Sequence, residues 1–146
     1  MKALFAFVLL IAVSTPEWLV NYENAHEVAV QQNKYILLNF SGSDWCGPCI
    51  KMKKEVFESE SFLSLAEKHL VLLRADFPRA KKNQLSKEQT KHNEVLAEKY
   101  NPEGKFPFTV LLDSNGNVLK KWDGYVFSSQ DKFIADLHDT ILSSRQ

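Results

Sequence analysis

The sequence predicts an α/β fold in which helices cover both faces of a central mixed sheet. Three observations carry this expectation. Short apolar runs alternate with helical stretches, and two of them, 35–40 and 71–76, are separated by helical sequence. They therefore read as buried parallel strands joined by a right-handed crossover. The next two runs, 108–112 and 118–122, flank Ser114-Asn115-Gly116-Asn117, a hairpin turn that makes them antiparallel. A last helix with Phe133, Leu137 and Ile141 on one stripe supplies an apolar face. Buried parallel strands need such cover on both sides.

Each element has its own signal. Thr15-Pro16-Glu17 reads as a helix start, with Thr as cap, Pro in the first turn and Glu after it, and Trp18, Tyr22, Ala25 and Ala29 follow at helical spacing. Tyr35 to Phe40 is the first strand and 41–45 a loop. A helix follows from about Pro48, and Ser59 starts a second helical segment toward Lys68. Val71 to Asp76 is the second strand, and Phe77 to Leu85 a loop. Ser86 with Gln89 is a capping-box signature for a helix to about Tyr100, which Asn101-Pro102-Glu103-Gly104 stops. Phe108 to Leu112 and Val118 to Trp122 form the hairpin, and Ser128 or Ser129 caps the final helix.

With 146 residues the chain has room for one domain and its core, and too few residues for two. Eighteen basic residues balance eighteen acidic ones, so charge gives no case for nucleic acid or an anionic membrane as partner. There is no internal repeat and no low-complexity tract. Met1-Lys2, the apolar run from Ala3 to Val13 and the small residues of Ala12-Val13-Ser14 together read as a signal peptide over 1–14. The expectation is export, into the periplasm, with residues 15–146 as the folded domain. The alternative is a buried N-terminal strand or helix. The run is too short to span a membrane, and no later stretch is apolar enough, so no stable membrane insertion is expected once the signal is removed.

The chemistry lies in two cysteines, Cys46 and Cys49, in the run Trp45-Cys46-Gly47-Pro48-Cys49. A bridge across two residues closes almost no loop and adds little as a staple. Placed between a strand and a helix, the pair makes sense as a redox site. With Cys46 as the helix cap, Pro48 has no N–H to offer and the N–H of Cys49 is the natural partner of the Cys46 sulfur. That arrangement lowers the thiol pKa toward neutrality and supplies the thiolate that disulfide exchange needs. Cys49 lies one turn further on, on the face of Met52 and Val56, so it is expected to be buried and to resolve a mixed disulfide formed by an exposed, attacking Cys46. Gly47 lets a substrate chain approach closely. A zinc half-site is the alternative, but His26, His69, His92 and His138 show no paired ligand spacing, and no metal or other cofactor is expected. Asp44 places a carboxylate near Cys46 that would raise its pKa or take up a proton, unless it is only a solvated loop charge. From Arg79 to Lys91 five basic residues accompany one acid, Glu88, either as a docking surface for an acidic partner or as a solvated face.

Leu37-Leu38-Asn39-Phe40, Trp45 to Cys49, Phe106-Pro107-Phe108-Thr109-Val110 and Gly124 together resemble the thioredoxin superfamily, over nearly the whole chain after residue 14. The likeness is greatest to exported bacterial thioredoxin-like thiol:disulfide interchange proteins. The resemblance implies a thioredoxin-like fold and a cis Pro107 facing the cysteines. It also implies a flanking aromatic at Trp45, where a core tryptophan is the other reading, and a glycine beside the site at Gly124. Trp45, Gly47, Pro48, Phe106 and Pro107 would then contact substrate. The family's buried acid appears here as Asn39, which can hydrogen-bond but cannot act as a base. The function this implies is thiol–disulfide exchange with protein substrates, as reductase or isomerase, by a monomer re-reduced by an upstream dithiol donor. A redox-sensitive binding module on the same fold is the second reading.

Overall fold

In a computed structural model, which describes residues 15–126 and 129–145, five strands form one mixed sheet with helices on both faces. The elements are β1 (Trp18–Leu19), α1 (Tyr22–Gln32), β2 (Tyr35–Ser41), α2 (Gly47–Met52), α3 (Glu60–His69), β3 (Leu70–Asp76), α4 (Lys87–Tyr100), β4 (Phe108–Leu112), β5 (Val118–Asp123) and α5 (Gln130–Ser143). The sheet order is β1-β3-β2-β4-β5. β3 pairs in parallel with β1 and β2, while β4 runs antiparallel to β2 and β5. The expected signal segment 1–14 and the candidate cap Ser128 lie outside the described residues.

The two-residue period of the strands divides the core in two. Ile36, Leu38 and Phe40 of β2 pack with Val71, Leu73 and Val110 under Ala25 and Ala29 of α1 and Leu96 and Tyr100 of α4. Leu37, Leu72 and Leu111 point the other way, against Met52 of α2, Phe62, Leu65 and Ala66 of α3 and Phe133, Leu137 and Ile141 of α5. Between α2 and α3, residues 53–57 form a wide π turn, with Glu58 N–H reaching Lys53 O at 3.1 Å. The added residue lets the consecutive Val56 and Phe57 both face the core.

The start of the chain departs from the sequence reading. Thr15-Pro16-Glu17 does not begin a helix. Trp18 and Leu19 form a short edge strand instead, in register with Leu72 and Leu73. Trp18 packs with the second core and Leu19 with the first, an alternation no helix face allows. The helix begins at Tyr22, capped by Asn21, whose Oδ1 accepts the Asn24 N–H at 2.9 Å. It closes at Asn33, which takes the left-handed conformation at φ 52°. The capping box at α4 is half made. Ser86 Oγ accepts the Gln89 N–H, but Gln89 Nε2 donates to Val20 O and Asn93 Oδ1, both at 2.8 Å, and so ties α4 to the loop before α1. At α5, Ser129 is the N-cap residue but its hydroxyl donates back to Val126 O rather than capping.

The hairpin turn is held by Asp113, which accepts the N–H groups of Asn115 and Asn117 at 2.8 and 2.9 Å. Gly116 has φ 81°, and a Cβ there would meet the Tyr22 hydroxyl at 2.5 Å. No described helix is long and apolar enough to cross a membrane.

The corrected helix start is testable. Asn21→Ala should lose about 1 kcal/mol in urea unfolding, the usual loss on removing a cap, whereas Thr15→Ala should change stability by a few tenths at most. The reverse order would restore the helix start at Thr15.

Candidate active site

Four chain crossings meet at one end of the sheet. The end of β2 leads through 42–45 to Cys46. Ser41 lies beside Asp76, so the end of β3 delivers 77–83 to the same place. Phe108 pairs with Phe40, so Phe106 and Pro107 enter there, and Asp123 pairs with Phe108, which brings Gly124. The Phe106–Pro107 peptide is cis, and Pro107 O accepts the Gly124 N–H at 2.9 Å, with Gly124 at φ 76°.

Cys46 is the N-cap of α2, and its Sγ accepts the Cys49 N–H at 3.3 Å. The two cysteines form a disulfide with their Cα atoms 5.2 Å apart. Cys49 and Met52 are buried beneath, as the helical spacing requires, while Gly47 and Pro48 are exposed. Nothing lies within 4 Å of the place a Gly47 side chain would start, so the surface there is open. The expected contrast between an exposed Cys46 and a buried Cys49 is absent in this disulfide form, where they are 5% and 4% exposed. The cause is local: Cys46 N–H is drawn in to Gly42 O at 2.8 Å, and its sulfur is turned onto Cys49.

Trp45 is clamped rather than loose. Its Nε1–H donates to Phe77 O at 2.7 Å, and its ring meets Phe106 edge-on with centroids 5.4 Å apart. One face lies against Gly42, where any side chain would collide with the indole. The Arg79 guanidinium lies 3.7 Å from the ring centre. The indole is half-buried, so Trp45 is not a core tryptophan.

Asp44 is the solvent-accessible loop carboxylate that the sequence suggests, and it is also bonded to the facing loop. Its Oδ1 accepts the Arg79 N–H at 2.9 Å, and its Oδ2 accepts the Ala80 N–H at 2.9 Å and Asn83 Nδ2 at 3.0 Å. These bonds, led by that from Arg79, hold its carboxyl below the usual carboxylate range. Ser43 is fixed in the same way, its N–H and hydroxyl both donating to Asp76. Two carboxylates therefore lock the loop before Cys46 to the loop after β3.

Asn39 is buried on the sheet face that α2 covers, in the alternation of Leu37. Its Nδ2 donates to Thr109 Oγ1 at 3.1 Å across the β2–β4 pair. On the other side its register partner is Arg74, whose guanidinium stacks 4.3 Å from the Trp18 ring centre and whose buried Nε has no hydrogen-bond partner. Desolvation pulls the Arg74 pKa down. The row beneath α2 thus holds an amide, a hydroxyl and a cation, and no acid. Among the described residues no group of three or more His, Cys, Asp or Glu could hold a metal.

Sequence reasoning missed Gly42, Arg79, Asp76 and Arg74 as parts of this site. The partners of Arg79, Asp76 and Arg74 lie about 30 or more positions away or across a strand pair, with only the charge run from Arg79 as a hint, whereas Gly42 meets Trp45 and Cys46 a few positions on, in a loop with no motif to mark it.

The fold and the site define a thioredoxin-fold protein with a Cys-Gly-Pro-Cys disulfide at the head of a helix. A family model described as thioredoxin-like matches residues 17–114, and the chain belongs to that family. It is 38% identical over 111 residues to the disulfide bond reductase DsbH of Chlamydia pneumoniae, a match covering 76% of this chain and 64% of that protein. The chain thus spans less than two thirds of that relative's length. A solved structure of a DsbH oxidoreductase superposes with a TM-score of 0.75 at 29% identity, covering 97% of this chain and 94% of the other. A poplar thioredoxin h shares the fold at a TM-score of 0.59 and 18% identity, covering 86% and 98%.

The Asp44 lock can be tested by amide exchange. Asp44→Ala should speed exchange at Arg79 and Ala80, whose N–H groups lose their acceptor. Acid should likewise lower the protection of these two amides in the unaltered protein, measured relative to their intrinsic exchange rates at the same pH. The folded carboxyl titrates below its ordinary 3.8, so its hold on the loop is complete above that value and is lost as the pH falls through the folded pKa. Equal exchange in both proteins at neutral pH would contradict the lock.

Proposed function

We propose that this protein is a thiol–disulfide oxidoreductase acting on disulfides of other proteins, with Cys46 attacking and Cys49 resolving. The observation that carries the reading is the Cys49 N–H directed at Cys46 Sγ at the head of α2, within Trp45-Cys46-Gly47-Pro48-Cys49. In the reduced protein that donor favours the Cys46 thiolate.

The thiolate attacks one sulfur of a substrate disulfide. A Cys46–substrate S–S bond forms, the substrate S–S bond breaks, and one substrate thiolate leaves and takes a proton from water. Cys49 then loses its proton, attacks Cys46 Sγ and releases the second substrate thiol. Two electrons have passed to the substrate, and the protein is left as the Cys46–Cys49 disulfide seen here. Return to the dithiol requires an upstream dithiol donor. Rearrangement of a substrate uses the first step and its reverse.

Trp45, Gly47, Pro48, Phe106 and the cis Pro107 border this path and form the substrate contact surface. Asn39 cannot take the Cys49 proton, and Asp44 is committed to three donors. Water is left as the acceptor, and resolution is slow. The name of the Chlamydia relative, a disulfide bond reductase, supports reduction as the net direction. The apolar run of residues 3–13 supports export to the periplasm. The protein works as a monomer on this reading.

The test is insulin-disulfide reduction with an added dithiol. Cys46→Ser should abolish it and trap nothing. Cys49→Ser should stop turnover but accumulate mixed disulfides through Cys46. Trapping by Cys46→Ser instead would reverse the roles, and full activity of both variants would end the proposal.

A further inference from the structure

Five cations lie between Arg79 and Lys91, and their placement differs. Lys91 lies 4.0 Å from Glu94 on its own helix. Arg79 lies on the redox site, with its guanidinium 3.7 Å from the centre of the Trp45 ring. Its side chain is exposed, and among the described residues no carboxylate forms an ion pair with it. Asp44 binds its backbone N–H and fixes its position without neutralising the guanidinium by contact. The indole beneath is held in turn by Phe77 O and Gly42.

A guanidinium stacked on an aromatic ring keeps its N–H donors in its own plane, turned away from the ring, where they match the two oxygens of a carboxylate. Trp45 adjoins Cys46, so those donors lie within one or two residues' reach of a chain joined to Cys46 Sγ, at about 3.3 Å per extended residue. We propose that Arg79 selects substrates, pairing with a carboxylate one or two positions from the substrate cysteine, so that disulfides in acidic segments are exchanged in preference to those in basic ones. This rests on the oxidoreductase reading above. Arg79 acts by binding and takes no part in the electron transfer.

The test uses three peptides whose disulfide-bonded cysteine is flanked by Glu, Gln or Lys, each reacted with the reduced protein. An exposed pair of this kind supports a preference of about fivefold for Glu over Lys at low salt, shrinking toward unity as salt screens it. Arg79→Gln should erase the preference, Arg79→Glu should invert it, and Arg79→Lys should keep its sign with a smaller size. A misfolded variant slows all three peptides alike, so the ratio is the readout, and the salt dependence of the unaltered protein stands apart from any variant. Equal rates with all three peptides, or a preference unchanged in Arg79→Gln, would overturn the inference alone. Failure to react with any peptide would remove the oxidoreductase reading and the inference with it.

Discussion

The Cys49 N–H reaching Cys46 Sγ at 3.3 Å is the contact on which the rest of the site depends. It exists because Cys46 caps α2, and Cys46 can cap because its own N–H is drawn back to Gly42 O. Pro48 removes one competing donor from the first turn. Below the turn, Met52, Val56 and Phe57 anchor the helix in the apolar layer, with the wide turn at 53–57 admitting both of the last two. The sulfur is thus placed by the core, through a helix whose polar end is left for chemistry.

The loops around the sulfurs are held by polar bonds between segments far apart in sequence. Asp44 and Asp76 each satisfy backbone donors of the opposing loop, and Trp45 adds a third link through Phe77 O. A side chain at Gly42 would expel the indole, and without the indole Arg79 would lose its platform. The same network that stiffens the approach to Cys46 also sets a positive charge beside it. Beneath α2 the sheet offers the opposite of the family's usual arrangement. Asn39 bonds to Thr109 while Arg74 lies beside it, so this row of the sheet carries no carboxylate.

Much of this was legible in the sequence. Strands whose residues are apolar on both faces read as continuous runs, and β4 was bounded as observed because Pro107 precedes it and a turn follows. The cysteine turn was legible because its chemistry is local, with cap, proline and buried face all within four residues. What misled was a local signal overruled at a distance. Thr15-Pro16-Glu17 has the composition of a helix start, but Trp18 and Leu19 gain more by pairing with β3 and burying opposite faces. Gln89 could have closed its capping box and instead bonds to Val20 O, 69 positions away. Asp44 looked like a free charge because its three partners lie 35 to 39 positions further on. The low exposure of Cys46 was not legible because it follows from the bond to Gly42 O and the bridge to Cys49, neither of which the spacing records.

The exchange chemistry proposed for this site requires the head of α2 to stabilise a thiolate at Cys46. It is tested most directly by following thiolate absorbance against pH in the fully reduced protein, with Cys46→Ser and Cys49→Ser variants assigning the two titrations. Cys46 is expected to titrate well below the ordinary cysteine value of about 8.5, and Cys49 above it. A Cys46 value at or above 8.5, or a lower value for Cys49 than for Cys46, would contradict it.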